Sequence, residues 1–71
     1  MRDNSQIDNF SCGQLGFRNR TNIKAFNGVC EVSPSTGAGN TVLLNGITFL
    51  SNIGIGNVDY CTVVNCTCVN F

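Results

Sequence analysis

The five cysteines are the residues of this chain best suited to chemistry, and three of them lie close together near its end. Cys61, Cys66 and Cys68 fall within eight residues, and Cys12 and Cys30 are the other two. Because five is an odd number, full oxidation would leave one sulfur unpaired. An unpaired sulfur indicates either a bond to another chain or a free thiol.

Strand geometry limits how these sulfurs can pair. Residues two apart on a strand share a face, so Cys66 and Cys68 would point the same way, with parallel side chains unsuited to a mutual bridge. The sequence favours Cys30 pairing with one of them and Cys12 with the other. Cys61 would face the opposite side of a regular strand, which makes it the candidate for an intermolecular or free thiol. A bulge in this strand would change that parity.

Other chemistries lack the residues they need. The chain has no histidine, so serine and cysteine nucleophiles have no imidazole base. Zinc would favour histidines or Cys-x-x-Cys pairs, whereas this chain has one Cys-x-Cys. Its short Gly-x-Gly stretches lack the lysine and further glycine of a phosphate loop. The sequence therefore predicts no enzyme, no cofactor and no metal site.

Charge is scarce and balanced, with four basic and four acidic residues. This balance argues against nucleic-acid binding, which requires a clustered basic surface. No apolar run approaches the roughly 20 residues of a membrane-spanning helix, so no membrane span is expected. Little repulsion would keep copies of the chain apart, which favours self-association.

Two Asn-Gly pairs between apolar runs predict β-hairpins. In TNIKAFNGVCEV, a type I′ turn at Asn27-Gly28 would place Lys24 opposite Glu31 and Cys30 on the buried face. In TVLLNGITFL, the same turn at Asn45-Gly46 would give one wholly apolar face.

The second hairpin would also carry apolar residues on its other face, and the chain ends in an apolar segment. A strand with unpaired edges is a ready site for strand addition to a neighbour. The candidates for contacts in an assembly are Leu43, Leu50, Val69 and Phe71.

Together these patterns predict a single all-β domain over residues 1–71. We expect a small antiparallel sheet or sandwich built from the two hairpins and a long C-terminal strand, bent or bulged near Asn65 and stabilised by disulfides. Residues 1–20 would form an irregular arm with a possible short strand, and residues 21–71 the hairpin-rich core. A chain of this size has a marginal core and usually needs staples or a partner.

The predicted function is structural. We expect a subunit that assembles with copies of itself or with a larger particle, through β-strand contacts and disulfides, some of them between chains. Its expected location is extracellular or on the surface of a cell, spore or virion. The alternative is a secreted monomeric binding module stapled by disulfides, such as a toxin, antimicrobial or effector.

Overall fold

The computed structural model describes residues 2–56 and 58–70. Within them every regular element is a β-strand, and no helix occurs. The strands are β1 (Gln6–Cys12), β2 (Thr21–Cys30), β3 (Gly39–Asn45), β4 (Thr48–Phe49) and β5 (Val58–Val64). The all-β prediction is therefore confirmed.

All the strands pair in parallel. The sheet order is β1-β2-β3-β5, and β4 pairs with the end of β2. Ile7 pairs with Ala25, Ala25 with Leu44, and Leu44 in turn with Val63. Register partners on neighbouring strands are 18 or 19 residues apart along the chain. The chain therefore winds into stacked coils of that length, a β-solenoid-like arrangement.

The predicted antiparallel hairpins are wrong. A type I′ turn needs positive φ at both central residues. Asn27 has a φ of 56° and Gly46 a φ of 72°, but neither Gly28 nor Asn45 has positive φ. A single such residue bends the strand without reversing it, so Asn27 lies inside β2 and Gly46 at the corner between β3 and β4.

Two other predictions for the chain change as a result. Lys24 lies within β2, and Glu31 is the first residue after that strand. The two residues therefore lie along the same stretch of chain and do not face each other across a hairpin. The predicted long C-terminal strand is wrong, because β5 ends at Val64 after seven residues. The chain does bend where a bend was predicted, since Asn65 has a φ of 52°.

The segment that precedes β2 forms part of the core. It contains the seven-residue β1, and both Leu15 and Phe17 are buried. This segment therefore contributes more than the irregular arm that the sequence suggests.

At each bend the inward-pointing side chains switch between odd-numbered and even-numbered positions of the chain. Along β2, Ile23 and Ala25 point inward; after the bend at Asn27, the inward residues are Gly28 and Cys30. On the next coil, the residues paired with these in the sheet point inward in the same way. The buried hydrophobic residues are Leu15, Phe17, Ile23, Ala25, Cys30, Val42, Leu44, Ile47, Phe49 and Ile53.

Of the nine residues with left-handed φ in the described part of the chain, all but Asn19 line up in two columns along the stack. The first column consists of Asn4, Asn22, Thr41 and Tyr60, and the second of Asn9, Asn27, Gly46 and Asn65. In every coil the two positions are five residues apart. Asparagine and glycine tolerate this conformation better than other residues, which explains their frequency at these corners. All the coils therefore bend at the same places.

Candidate functional site

The cysteines lie in two places in the stack. Cys12 and Cys30 end β1 and β2, are register partners, and have their Sγ atoms 3.5 Å apart. Cys61, Cys66 and Cys68 lie on the last coil, where each is half-buried against the core. All five are free thiols. No pair is at bonding distance, so the disulfide stabilisation predicted for the fold is not supported.

The predicted partners of Cys30 are not beside it. Cys30 pairs in register with Phe49, and the bridge between Thr48 and Thr67 puts Cys68 one coil beyond Phe49. Cys66 lies elsewhere, with its Sγ 3.4 Å from the Val64 carbonyl oxygen. Parallel stacking therefore brings Cys12 to Cys30, a pairing that the hairpin interpretation did not include.

Burial changes the acidity of two thiols. It is the main cause that raises the pKa of Cys30 from 9.0 to about 12, with further contributions from the hydrogen bond to Cys12 and the charge of that neighbour. Burial also raises the pKa of Cys61. A thiol must ionise to act as a nucleophile. Neither Cys30 nor Cys61 is therefore activated for attack.

The two end coils of the described stack are uncovered. Among the described residues, β1 pairs only with β2, and β5 only with β3. Several inward-pointing residues of these coils are only half-buried, whereas their equivalents in the middle coils are buried. The half-buried members are Ile7, Phe10 and Cys12 at one end, and Val58, Cys61, Val63, Cys66 and Cys68 at the other. Each end therefore presents an unpaired strand edge beside apolar side chains.

Three of the four predicted contact residues lie on the sides of the stack. Leu50 and Val69 are 61% and 65% exposed, and they occupy equivalent positions on adjacent coils. Leu43 is half-buried and pairs in register with Lys24 and Thr62. Phe71 lies outside the described residues. Whether any of these four residues contacts another chain stays a prediction.

One open cleft runs along a corner of the stack. Its lining includes Asp3, Arg20, Asn40 and Asp59. The Asp3 carboxylate accepts a hydrogen bond from the Thr21 backbone nitrogen at 3.0 Å, so it caps the neighbouring coil. No group of three metal-ligating side chains occurs in the described part of the chain. This cleft is a polar corner that holds two carboxylates and one guanidinium.

The coil repeat has a signal in the sequence that hairpin reasoning missed. Asn22 follows Asn4, and Cys30 follows Cys12, at the same spacing of 18 residues. Asn9 and Asn27 repeat that spacing. The amides of one such pair hydrogen bond, with Asn22 Nδ2 donating to Asn4 Oδ1 at 3.0 Å. Self-similarity at a fixed period is typical of stacked-coil folds.

Comparison of the chain with protein-family models, curated proteins and solved structures found no match. The described residues contain no helix suited to crossing a membrane. The geometry of the stack is therefore the basis for an inference about function.

Proposed function

We propose that this protein is a structural subunit that assembles head to tail, with the last coil of one copy stacking on β1 of the next. The interface would be heterologous, because two different surfaces of the chain meet. Such an interface generates an open filament unless rotation closes it into a ring. The added strand would satisfy the backbone groups that each end coil leaves unpaired.

The observation that carries this proposal is the matching shape of the two ends. The first coil bends at Asn4 and Asn9, and the last coil bends at Tyr60 and Asn65. Both pairs have the same spacing along the chain and belong to the same two columns. A β1 strand placed on β5 at the next coil step would therefore meet a backbone with bends at the same positions.

The same register brings apolar side chains together. Continuing the columns places Val63 against Ile7 of the next copy, because both lie in the column of Ala25 and Leu44. It likewise places Cys66 against Phe10 of the next copy. These side chains are half-buried in the single chain. Covering them supplies the hydrophobic contribution to association.

Two features oppose tight binding. The register also places Asp59 against Asp3 of the next copy, and like charges facing across strands are destabilising. The stack measures 25 × 22 × 19 Å. Its end faces are therefore small, at most 25 by 22 Å between Cα atoms, which limits the area that stacking can bury. The proposed association is accordingly weak and depends on concentration.

The proposal assigns the protein no catalytic role. Its work would be to present the repeated outer surface of the coils along a filament. We further propose an extracellular or surface location, because low charge and strand-edge association suit a coat or fibre.

Sedimentation velocity over a series of protein concentrations in reducing buffer tests the proposal. We expect the weight-average mass to rise through successive oligomers, and negative-stain images at high concentration to show unbranched rods. Reducing conditions remove disulfides as the cause. A protein that stays monomeric across the series would contradict self-assembly and would fit the monomeric binding module.

A further inference from the structure

Two cysteines that the sequence did not pair are placed side by side by the coil repeat. Cys12 and Cys30 are register partners on parallel strands. Neighbouring strands lie ~4.8 Å apart, which is within the Cα separation that a disulfide spans. Their Sγ atoms are 3.5 Å apart. We propose that Cys12 and Cys30 form an intramolecular disulfide that ties β1 to β2.

The other thiols are less suited to bond either of these two within one chain. Phe49 separates Cys30 from Cys68 in the same column. Two coil steps put their Cα atoms roughly 9–10 Å apart, beyond disulfide range. Cys61 pairs in register with Val42, which pairs with Ile23, so it lies in another column. Cys66 follows a third column.

A small-molecule disulfide such as oxidised glutathione would supply the oxidising equivalents. The Cys12 thiolate attacks one glutathione sulfur, a mixed disulfide forms, and one glutathione thiolate leaves. The Cys30 thiolate then attacks the Cys12 sulfur and expels the second glutathione. The products are one protein disulfide, two molecules of reduced glutathione and no net change in protons.

The order of these steps follows from exposure. Cys12 is half-buried and accessible from the end of the stack, whereas Cys30 is buried. The raised pKa of Cys30 leaves little thiolate at neutral pH, so closure of the mixed disulfide should be slow and should accelerate at alkaline pH.

The bond would stabilise the first coil. It closes a loop of 18 residues along the chain. A loop of this size is expected to change the unfolding equilibrium constant roughly a hundredfold. Since β1 is an uncovered edge strand, its amide protons should show the largest gain in protection on oxidation.

Peptide mapping of the unaltered protein tests the bond. The protein is equilibrated with oxidised and reduced glutathione, its remaining thiols are alkylated, and it is then denatured and cleaved after arginine, lysine and glutamate. Lys24 and Glu31 are the last such residues in the chain. The digest therefore isolates Cys12 in peptide 3–18, Cys30 in peptide 25–31, and the other three cysteines in peptide 32–71.

We expect peptides 3–18 and 25–31 to be joined, in protein that has the intact mass of a monomer. If Cys12 is recovered in its alkylated form under redox conditions that oxidise other dithiols, the proposal is overturned. Peptide 3–18 joined to peptide 32–71 would also overturn it, because Cys12 would then be bonded to a cysteine of the last coil.

A matched pair of variants tests the stabilisation. Oxidation should raise the denaturation midpoint of Cys61→Ala but leave that of Cys12→Ala unchanged. Each variant is compared with its own reduced form, so a loss of stability from the substitution itself does not affect the result. Equal oxidation-induced shifts in the two variants would contradict the assigned bond.

Discussion

The ring of Phe10 lies directly over Gly28, in the space that a Cβ atom at residue 28 would occupy. The two residues are register partners on β1 and β2. Glycine at this position therefore lets the aromatic ring of the first coil fold inward over the core.

A methyl group at residue 28 should disrupt this contact. We expect Gly28→Ala to lower the free energy of unfolding by about 1–3 kcal/mol, because the ring must move out of a packed site. Urea denaturation measures the change. Gly13→Ala is the control, since nothing lies within 4 Å of a Cβ at that position. Equal effects of the two substitutions would show that the ring does not occupy this space in solution.

The columns of left-handed residues predict a stabilising substitution at Thr41. Its φ of 58° is unfavourable for a β-branched residue, and asparagine occupies the same column at Asn4 and Asn22. We expect Thr41→Asn to raise the free energy of unfolding by about 0.5–1 kcal/mol. Thermal and urea unfolding would measure it.

The control for this substitution is Thr62→Asn, because Thr62 is an exposed strand residue without positive φ. Asparagine is disfavoured within strands, so this control should be neutral or destabilising. A Thr41→Asn protein no more stable than the control would mean that Thr41 is not held in the left-handed conformation.

The buried thiol of Cys30 predicts loss of stability at alkaline pH. Below pH 9.0 both the folded and unfolded states keep its proton, so the stabilisation is fully present. Between pH 9.0 and about 12 only the folded state keeps it. The free energy of unfolding should therefore fall with pH, by at most about 1.4 kcal/mol per pH unit from this group.

Urea denaturation of reduced protein at several pH values would measure this slope. The Cys30→Ala variant should have a smaller slope over the same range, whatever its absolute stability. Cys61→Ala should also reduce the slope, since burial raises the pKa of Cys61 in the same direction. An unchanged slope in Cys30→Ala would contradict burial of this thiol.

Salt should strengthen the proposed head-to-tail contact. Asp59 would face Asp3 of the next copy, and salt screens repulsion between exposed charges, with a Debye length of about 10 Å at 0.1 M. We therefore expect the average mass at a fixed protein concentration to increase with sodium chloride. An Asp59→Asn protein should associate more strongly at low salt and respond less to added salt. If the Asp59→Asn protein responds to salt as strongly as the wild type, then Asp59 does not face Asp3 of the next copy.

The sequence predicted local conformation better than the direction of the chain. It located the bends at Asn27, at the Asn45-Gly46 pair and near Asn65, and it placed Cys30 in the core. These features depend on local backbone preference and on alternation. Whether a bend reverses the chain depends on φ at the adjacent residue, and Gly28 allows either outcome. An Asn-Gly pair alone therefore does not distinguish a hairpin turn from the corner of a coil.

The candidate assembly surfaces were predictable only in part. Scarce charge and apolar strands indicated self-association, but Leu43, Leu50 and Val69 lie on the sides of the stack. The uncovered end coils are a consequence of the parallel strand order. Predicting that order requires knowing which residues pair from one coil to the next. The three cysteines near the chain end were visible in the sequence, yet only the coil geometry places all of them on one end face.

The charges at residues 3 and 59 allow the most direct test of head-to-tail stacking. Sedimentation velocity in low salt would compare Asp59→Lys, Asp3→Lys, the double variant carrying both substitutions, and Glu31→Lys. Glu31→Lys makes the same charge change as Asp59→Lys, but residue 31 directly follows β2 and lies in a middle coil. Circular dichroism would establish that each variant is folded, which matters for Asp3 because it caps Thr21.

Head-to-tail stacking predicts that Asp59→Lys and Asp3→Lys each associate more strongly than wild type, because each creates an opposite-charge pair between copies. The double variant restores like charges and should lose the gain, and Glu31→Lys should show none. If Asp59→Lys and Glu31→Lys associate equally, or if the double variant keeps the gain, then β5 does not stack on β1 of the next copy.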